Sequence, residues 1–293
     1  SYIYLERQSS HDYVAQVQAR QLAEREVWAT VGELQAALAN GETPATGPRE
    51  EELLPVYRRV VDGAPEEWTR RDGRVLVTIE DESAKLNINH APPRVLQAML
   101  GVDGQQARNI RSSVPRPGEA PAKNQHWFTS VDGLVARGFL ARQALTQLEP
   151  RRGALLTAHS VADNRNPRNY INVNTAPKEV LAALFGAQTA DRIATARAQE
   201  PLKDFAGVLQ ATQAEPATFN IDVPADGGAP PEIAFQSRSF RIGCRAEFRR
   251  AGDSLAATRV EAVVVFTDSG KPQITYWKEM PAALAEEGAA KPC

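Results

Sequence analysis

Cysteine, methionine and histidine are scarce in this chain, with two, two and four copies. Cys244 and Cys293 allow at most one disulfide and fit neither a zinc site nor a Cys-x-x-Cys redox pair, so bridged and unpaired states both stay open. His11, His90, His126 and His159 are scattered, and no His-Glu-x-x-His, Gly-x-Ser-x-Gly or P-loop pattern accompanies them, which leaves no candidate catalytic residue. Charge of one sign is lacking as well. The formal net charge is -2 and no run of six like charges occurs, so there is no basic field for nucleic acid or anionic lipid. No run of eighteen apolar residues and no signal peptide is visible. What remains is ordinary globular material, 42% hydrophobic and 24% charged over 293 residues, enough for two or three domains.

What is present is a repeat. The stretch from Leu86 to Gly101 returns from Ile171 to Gly186 with half of its positions identical: both Asn residues, Ala-Pro, Val-Leu, the second Ala and the Gly. Two copies are too few for a solenoid, so the pattern reads as one supersecondary unit duplicated inside a larger fold. In each copy an extended segment alternating apolar residues with Asn runs into Ala-Pro and then a helix. Pro92 and Pro177 are expected to open the helices, because proline has no N–H to lose in the first turn, and Gly101 and Gly186 to close them in the left-handed cap. Asn87 and Asn89, like Asn172 and Asn174, suit side-chain bonds to the backbone at a strand-to-helix corner. A second short helix follows each Gly, over 105–113 and 189–199. A later counterpart pair follows, 128–134 and 202–208, with Ser130 and Asp204 as natural N-caps. The unit is a helix-hairpin-helix or SAM-like module, and its two copies span 86–150 and 171–213.

Around the repeat the periodicities differ. From about Tyr4 to Asn40 the pattern is helical, with Val27, Val31, Leu34 and Leu38 in one apolar stripe and Val14 and Val17 on mixed faces. This stripe reads equally well as packed on the parent domain or as facing partners. The helix starts without cap, Pro or Gly, as if it continued from upstream. A Pro/Gly/Thr linker (42–48) and a short helix (50–62) are expected next, then a strand over 74–81. The loop-like stretch 214–233 reads as the return from insert to parent domain. A meander closes the chain, with strands over 240–248, 259–266 and 274–278. These three strands and the strand at 74–81 form a sheet that needs a cover, and the long helix is available for it. Residues 281–293 read as a flexible tail.

Two further features suggest binding. Glu80-Asp81-Glu82 and the oxygen-rich Asp163-Asn164-Asn166-Asn169 loop both read first as solvated turns, with calcium at the loop as the alternative, since the EF-hand spacing is absent. The hairpins read Gly101-Val102-Asp103 and Gly186-Ala187-Gln188. Both lack the second Gly that lets a backbone approach phosphate, and one places a carboxylate there, which argues against nucleic acid.

Taken together, the segment Asp81-Glu82-Ser83-Ala84-Lys85-Leu86-Asn87-Ile88-Asn89, the segment Ile171-Asn172-Val173-Asn174-Thr175-Ala176-Pro177 and the ending Tyr276-Trp277-Lys278-Glu279 resemble the general secretion pathway K family. These are the large minor pseudopilins of type II secretion. The resemblance covers nearly the whole chain, with His90 where Thr is usual and Pro92-Pro93 as a departure at the first helix start. It implies an α+β, pilin-like fold: a long N-terminal helix on an antiparallel sheet, built from 1–85 and 214–280, with an all-α domain inserted at 86–213. It also implies a non-enzymatic subunit without cofactor at the tip of a periplasmic pseudopilus. That subunit would assemble with other minor pseudopilins and the major pseudopilin, and an upstream helix processed by prepilin peptidase would anchor it in the inner membrane of a Gram-negative cell. Val14, Val17, Val27, Val31, Leu34 and Leu38 are the expected partner contacts. A competence-type DNA-binding protein and a tip pilin of a type IV pilus are the alternatives.

Overall fold

The structure, a computed structural model, describes residues 2–40, 66–70, 73–120, 122–148, 155–161, 167–168, 170–250 and 253–282. The expected linker and short helix at 42–62, most of the oxygen-rich loop, the tail beyond residue 282 and Cys293 lie outside these residues.

Helix α1 (Tyr2–Ala39) runs for 38 residues, and no proline occurs in that stretch to break it. It lies on a five-stranded antiparallel sheet ordered β1-β2-β7-β8-β9. The strands are β1 (Glu66–Arg70), β2 (Gly73–Asp81), β7 (Ser239–Arg250), β8 (Asp253–Phe266) and β9 (Pro272–Pro281). Alternation puts Val75, Val77 and Ile79 of β2, Phe240, Ile242 and Cys244 of β7, and Val260, Ala262 and Val264 of β8 on the covered face. Leu22, Val27, Val31 and Leu34 of α1 fill the space above them. Toward the helix start the contact narrows to small residues, Ala15 and Ala19 on Ala256, which lets the helix approach the sheet closely. Cys244 sits in this core with its thiol free, and burial pushes it up to about 12.

The sheet has one strand more than the sequence suggested. Glu66-Glu67-Trp68-Thr69-Arg70 pairs with Gly73–Val77 as an edge hairpin; its polar content masks the period of two.

The helical body has its own apolar core. Its first module holds β3 (Leu86–Asn87), α2 (Pro93–Leu100), α3 (Gly104–Ser112), α4 (Gly133–Ala136), α5 (Arg142–Leu148) and β4 (Leu156–Thr157). The second holds β5 (Ile171–Asn172), α6 (Lys178–Phe185), α7 (Ala187–Gln199), α8 (Phe205–Thr212) and β6 (Ile233–Ala234). Each module closes on itself through a short parallel strand pair, Leu86 opposite Leu156 and Ile171 opposite Ile233. The second module therefore runs past the expected end at 213. Phe219, Ile221 and Ile233 lie in the helical core rather than under the sheet. Asn220 stitches the intervening loop to the end of α6, its N–H donating to Leu184 O at 2.8 Å and its Nδ2 to Ala183 O at 2.9 Å. The long loop is structured because its own apolar residues complete the core.

The helix starts also shift by one residue. Pro92 and Pro177 occupy the N-cap positions with extended backbone, and the helices begin at Pro93 and Lys178. Gly101 closes α2 in the left-handed conformation (φ 66°, ψ 24°), as its sequence position suggests. Gly186 instead has φ 84° and ψ 155°, a region open essentially to glycine alone, and serves at once as C-cap of α6 and N-cap of α7. Asp204 caps α8 by accepting from Gly207 N at 2.8 Å, whereas α4 starts after Asp132 with no side-chain cap, so Ser130 does not play the matching role.

Candidate functional site

The four Asn residues of the repeat carry a duplicated bonding scheme. Asn87 Oδ1 accepts from Asn89 N at 2.9 Å, and Asn172 Oδ1 accepts from Asn174 N at 3.0 Å, the Asx turn expected at a strand-to-helix corner. Asn89 then reaches across its module. Its Oδ1 accepts from Phe128 N at 2.8 Å, and its Nδ2 donates to Phe128 O at 3.0 Å and Ala158 O at 3.2 Å. Asn174 repeats this on Leu202 N at 2.8 Å, Leu202 O at 2.9 Å and Phe235 O at 3.1 Å. Asn87 Nδ2 donates to Ser160 Oγ at 3.1 Å and Asn172 Nδ2 to Ser237 Oγ at 2.8 Å. Each pair ties the opening strand of a module to its middle loop and its closing strand. All four Asn side chains are buried, so their role is structural.

The connection between body and sheet is made at Asp81 and Glu82. The Asp81 carboxylate accepts from Ser83 N at 2.8 Å, from Thr175 Oγ1 at 2.6 Å and from Ser237 Oγ. Glu82, fully buried, accepts from Lys85 Nζ at 2.6 Å, from Arg241 Nε at 2.8 Å and from Thr157 Oγ1. Arg241 also pairs with Glu261, and Lys85 with Glu80 at 2.7 Å. Ser83 Oγ accepts from the backbone N–H of Arg238 and of Ser239, each at 3.1 Å, so the two crossings between domains are laced together. Burial works to raise the Glu82 carboxyl, but Lys85 and Arg241 outweigh it and hold it at about 2. For Asp81 burial wins over its hydrogen bonds and raises the carboxyl to about 6. The acidic cluster expected to be a solvated turn is instead the junction. Nothing local in sequence announces this, because Thr157 and Arg241 lie 75 and 159 residues from Glu82.

A second contact lies farther along the sheet edge. The His159 ring packs on Tyr276 of β9 with centroids 4.7 Å apart, and His159 O accepts from Thr275 Oγ1 at 3.0 Å. Burial and the nearby Arg241 guanidinium hold this imidazole below its usual range. His90 lies between Trp127 and Tyr170, and His126 is exposed. Among the described residues no group of three His, Cys, Asp or Glu is placed to hold a metal.

Helix α1 presents the remaining surface. Val27, Val31 and Leu34 are buried against the sheet, and Leu38 packs at the edge of the same core. Val27, Val31 and Leu34 therefore face their own sheet and leave almost no side-chain surface for a partner, while Leu38 keeps part of its surface exposed. Val14 is half exposed and Val17 partly so. Among the described residues the exposed large hydrophobic side chains are Tyr13 (71%), Val14 (50%) and Trp28 (52%), all on α1. Trp28 stacks on Trp277 of β9 with ring centroids 6.3 Å apart. The sequence signal for this face is the aromatic pair Tyr13 and Trp28, off the aliphatic stripe. Among the described residues no helix is long and apolar enough to cross a membrane.

The hairpins are unsuited to phosphate in the first module. Asp103 caps α3, accepting from Gln106 N at 2.7 Å, so a carboxylate already occupies the helix N-terminus.

Residues 171–223, most of the second module, match the family model described as type II secretion system (T2SS), protein K. A chain of the GspK-GspI-GspJ complex from the enterotoxigenic Escherichia coli type 2 secretion system shares the fold. Its TM-score is 0.58 at 14% identity, with 94% of the present chain and 100% of that chain covered. No curated protein matches the sequence. The protein K match falls on the duplicated module, and the fold shared with the solved complex extends over rod, sheet and helical body.

Proposed function

We propose that the chain is the tip subunit of a periplasmic pseudopilus, joined to other minor pseudopilins through the outward face of α1 and closing the fibre with its helical body. One observation carries this reading: the body leaves the sheet at the end where α1 finishes. Gln35 Nε2 donates to Gly270 O at 3.0 Å in the β8–β9 turn, and the same sheet end holds Asp81 and Ser239, where the chain enters and leaves the body. At the opposite end Ala15 and Ala19 of α1 lie on Ala256. In a fibre of subunits stacked along parallel helices, the next subunit would need the space that the body fills. A subunit of this shape therefore accepts neighbours on one side only.

The partner surface follows from burial. The similar solved structure is of a complex with GspI and GspJ, and a partner helix laid along Tyr13, Val14, Val17 and Trp28 would cover the exposed apolar side chains of α1. Partners are thus other minor pseudopilins, with the major pseudopilin below them. The same reading places the chain in the periplasm, held to the inner membrane before assembly by an apolar helix upstream. No reaction and no cofactor enter the account: bulk and shape do the work. Gold labels on a tag in the helical body, viewed on isolated pseudopili, test the position. One label at a single end of each fibre is the expected result, and labels spaced along the side would overturn it.

A further inference from the structure

We propose that Asp81 is a proton-binding clasp between the sheet and the second module, and that taking up one proton tightens the hold of the sheet on that module.

The geometry sets this up. Asp81 ends β2 and touches three segments: Ser83 of the crossing, Thr175 after β5 and Ser237 after β6. All three partners are neutral donors. The cations nearby are committed elsewhere: Lys85 Nζ to Glu80 at 2.7 Å and Glu82 at 2.6 Å, Arg241 to Glu82 and Glu261, and the Arg238 guanidinium to Asp268. The first module turns the titratable His159 toward the sheet, where its ring sits on Tyr276; the side chains that Asp81 bonds at the second module are the hydroxyls of Thr175 and Ser237. Lys85, the cation that acts on Asp81, makes its ion pairs with Glu80 and Glu82 instead, so Asp81 has no cation at hydrogen-bond distance and a proton is the available counter-charge. Thr175 and Ser237 can each turn from donor to acceptor, so a protonated carboxyl keeps both contacts.

The sign follows by linkage. Burial raises Asp81 from 3.8 to about 6, so the folded state binds this proton about a hundredfold more tightly than the unfolded chain. The first module is held differently, through Glu82 and Thr157, and stays ionised over the same range. Acidification from pH 7 to 5 therefore reaches the second module through Asp81 and leaves the Glu82 link to the first module ionised; His159→Gln serves as the background for the comparison, because His159 is the titratable contact of the first module with the sheet.

The test is carbon-13 NMR of the whole chain labelled at aspartate carboxyls, with Asp81→Asn to assign the signal. One carboxyl with a midpoint near 6, missing in Asp81→Asn, is expected; midpoints all below 5 would overturn the proposal. Thr175→Val, which removes one donor to the carboxylate, keeps the test decisive should Asp81→Asn fail to fold. Its midpoint must move upward, and an unchanged or lowered one contradicts the clasp. Amide exchange of Val173 and Ile233, corrected for intrinsic rates, should slow at least severalfold between pH 7 and 5, while Ile88 and Leu156 stay constant. Equal responses in the two modules would refute it.

Discussion

Asp81 and Glu82 are adjacent in sequence and grip different halves of the helical body: Asp81 accepts from Thr175 of the second module, Glu82 from Thr157 of the first. The strand that delivers the chain into the insert ends in a two-pronged fitting, and the prongs differ in charge environment. Glu82 has Lys85 and Arg241 at hydrogen-bond distance, whereas Asp81 has hydroxyl and backbone donors.

The stability of the junction should therefore depend on pH in two opposed steps. Asp81, raised to about 6, adds stability that grows as pH falls from 6 toward its ordinary 3.8. Glu82, lowered to about 2, contributes stability that is complete above its ordinary 4.5 and is lost as pH falls through 2. Denaturant titrations from pH 8 to pH 3 should show Asp81→Asn lacking the gain on the acid side of 6. At pH 8 that variant should match or exceed the parent chain, because it no longer carries an uncompensated buried charge.

Glu82→Gln leaves Lys85 and Arg241 in place without their shared carboxylate. Breaking a buried pair in this way costs about 3–5 kcal/mol, and the loss should be visible at pH 7 as a lower urea midpoint. A variant as stable as the parent would show that the ion cluster does not hold the junction.

Asn89→Ala and Asn174→Ala should cost similar amounts, since the two side chains make matching bonds to Phe128 and Ala158 and to Leu202 and Phe235. Stranding buried backbone groups costs roughly 1–3 kcal/mol each, so both variants should lose about 3 kcal/mol or more by thermal or urea unfolding. Exchange of amides in one module should rise while the other is spared.

Gly186→Ala should be worse tolerated than Gly101→Ala. An added Cβ meets nothing within 4 Å at either site, so the difference isolates backbone strain. The left-handed conformation at Gly101 costs about 1–2 kcal/mol for an L-residue, while the region at Gly186 is essentially glycine-only.

Much of this fold was legible beforehand because its signals are local. The repeat shows through identical Asn, Ala-Pro and Gly residues, and the Asx turns follow from the chemistry of Asn alone. The closing strands were not legible as part of the repeat: Leu156-Thr157 and Ile233-Ala234 share no residue, and each pairing is two residues long. The second module therefore seemed to end at residue 213. The α1 stripe was visible, but its direction was not. Val27, Val31 and Leu34 face the sheet, because a sheet with one covered face needs a continuous aliphatic cover. The surface left for partners is marked by Tyr13 and Trp28, which break that stripe.

The measurement that bears most directly on the proposed role is binding of this chain to the soluble domains of minor pseudopilins, comparing Trp28→Asp and Val14→Asp with Val27→Ala. Val27→Ala should lower the melting point, removing about 2 kcal/mol of core packing, yet leave affinity intact below the melt. Trp28→Asp and Val14→Asp should keep the fold and weaken binding at least tenfold. Undiminished binding by both Asp variants, or loss of binding confined to Val27→Ala in its folded state, would contradict the placement of the partner on the outward face of α1.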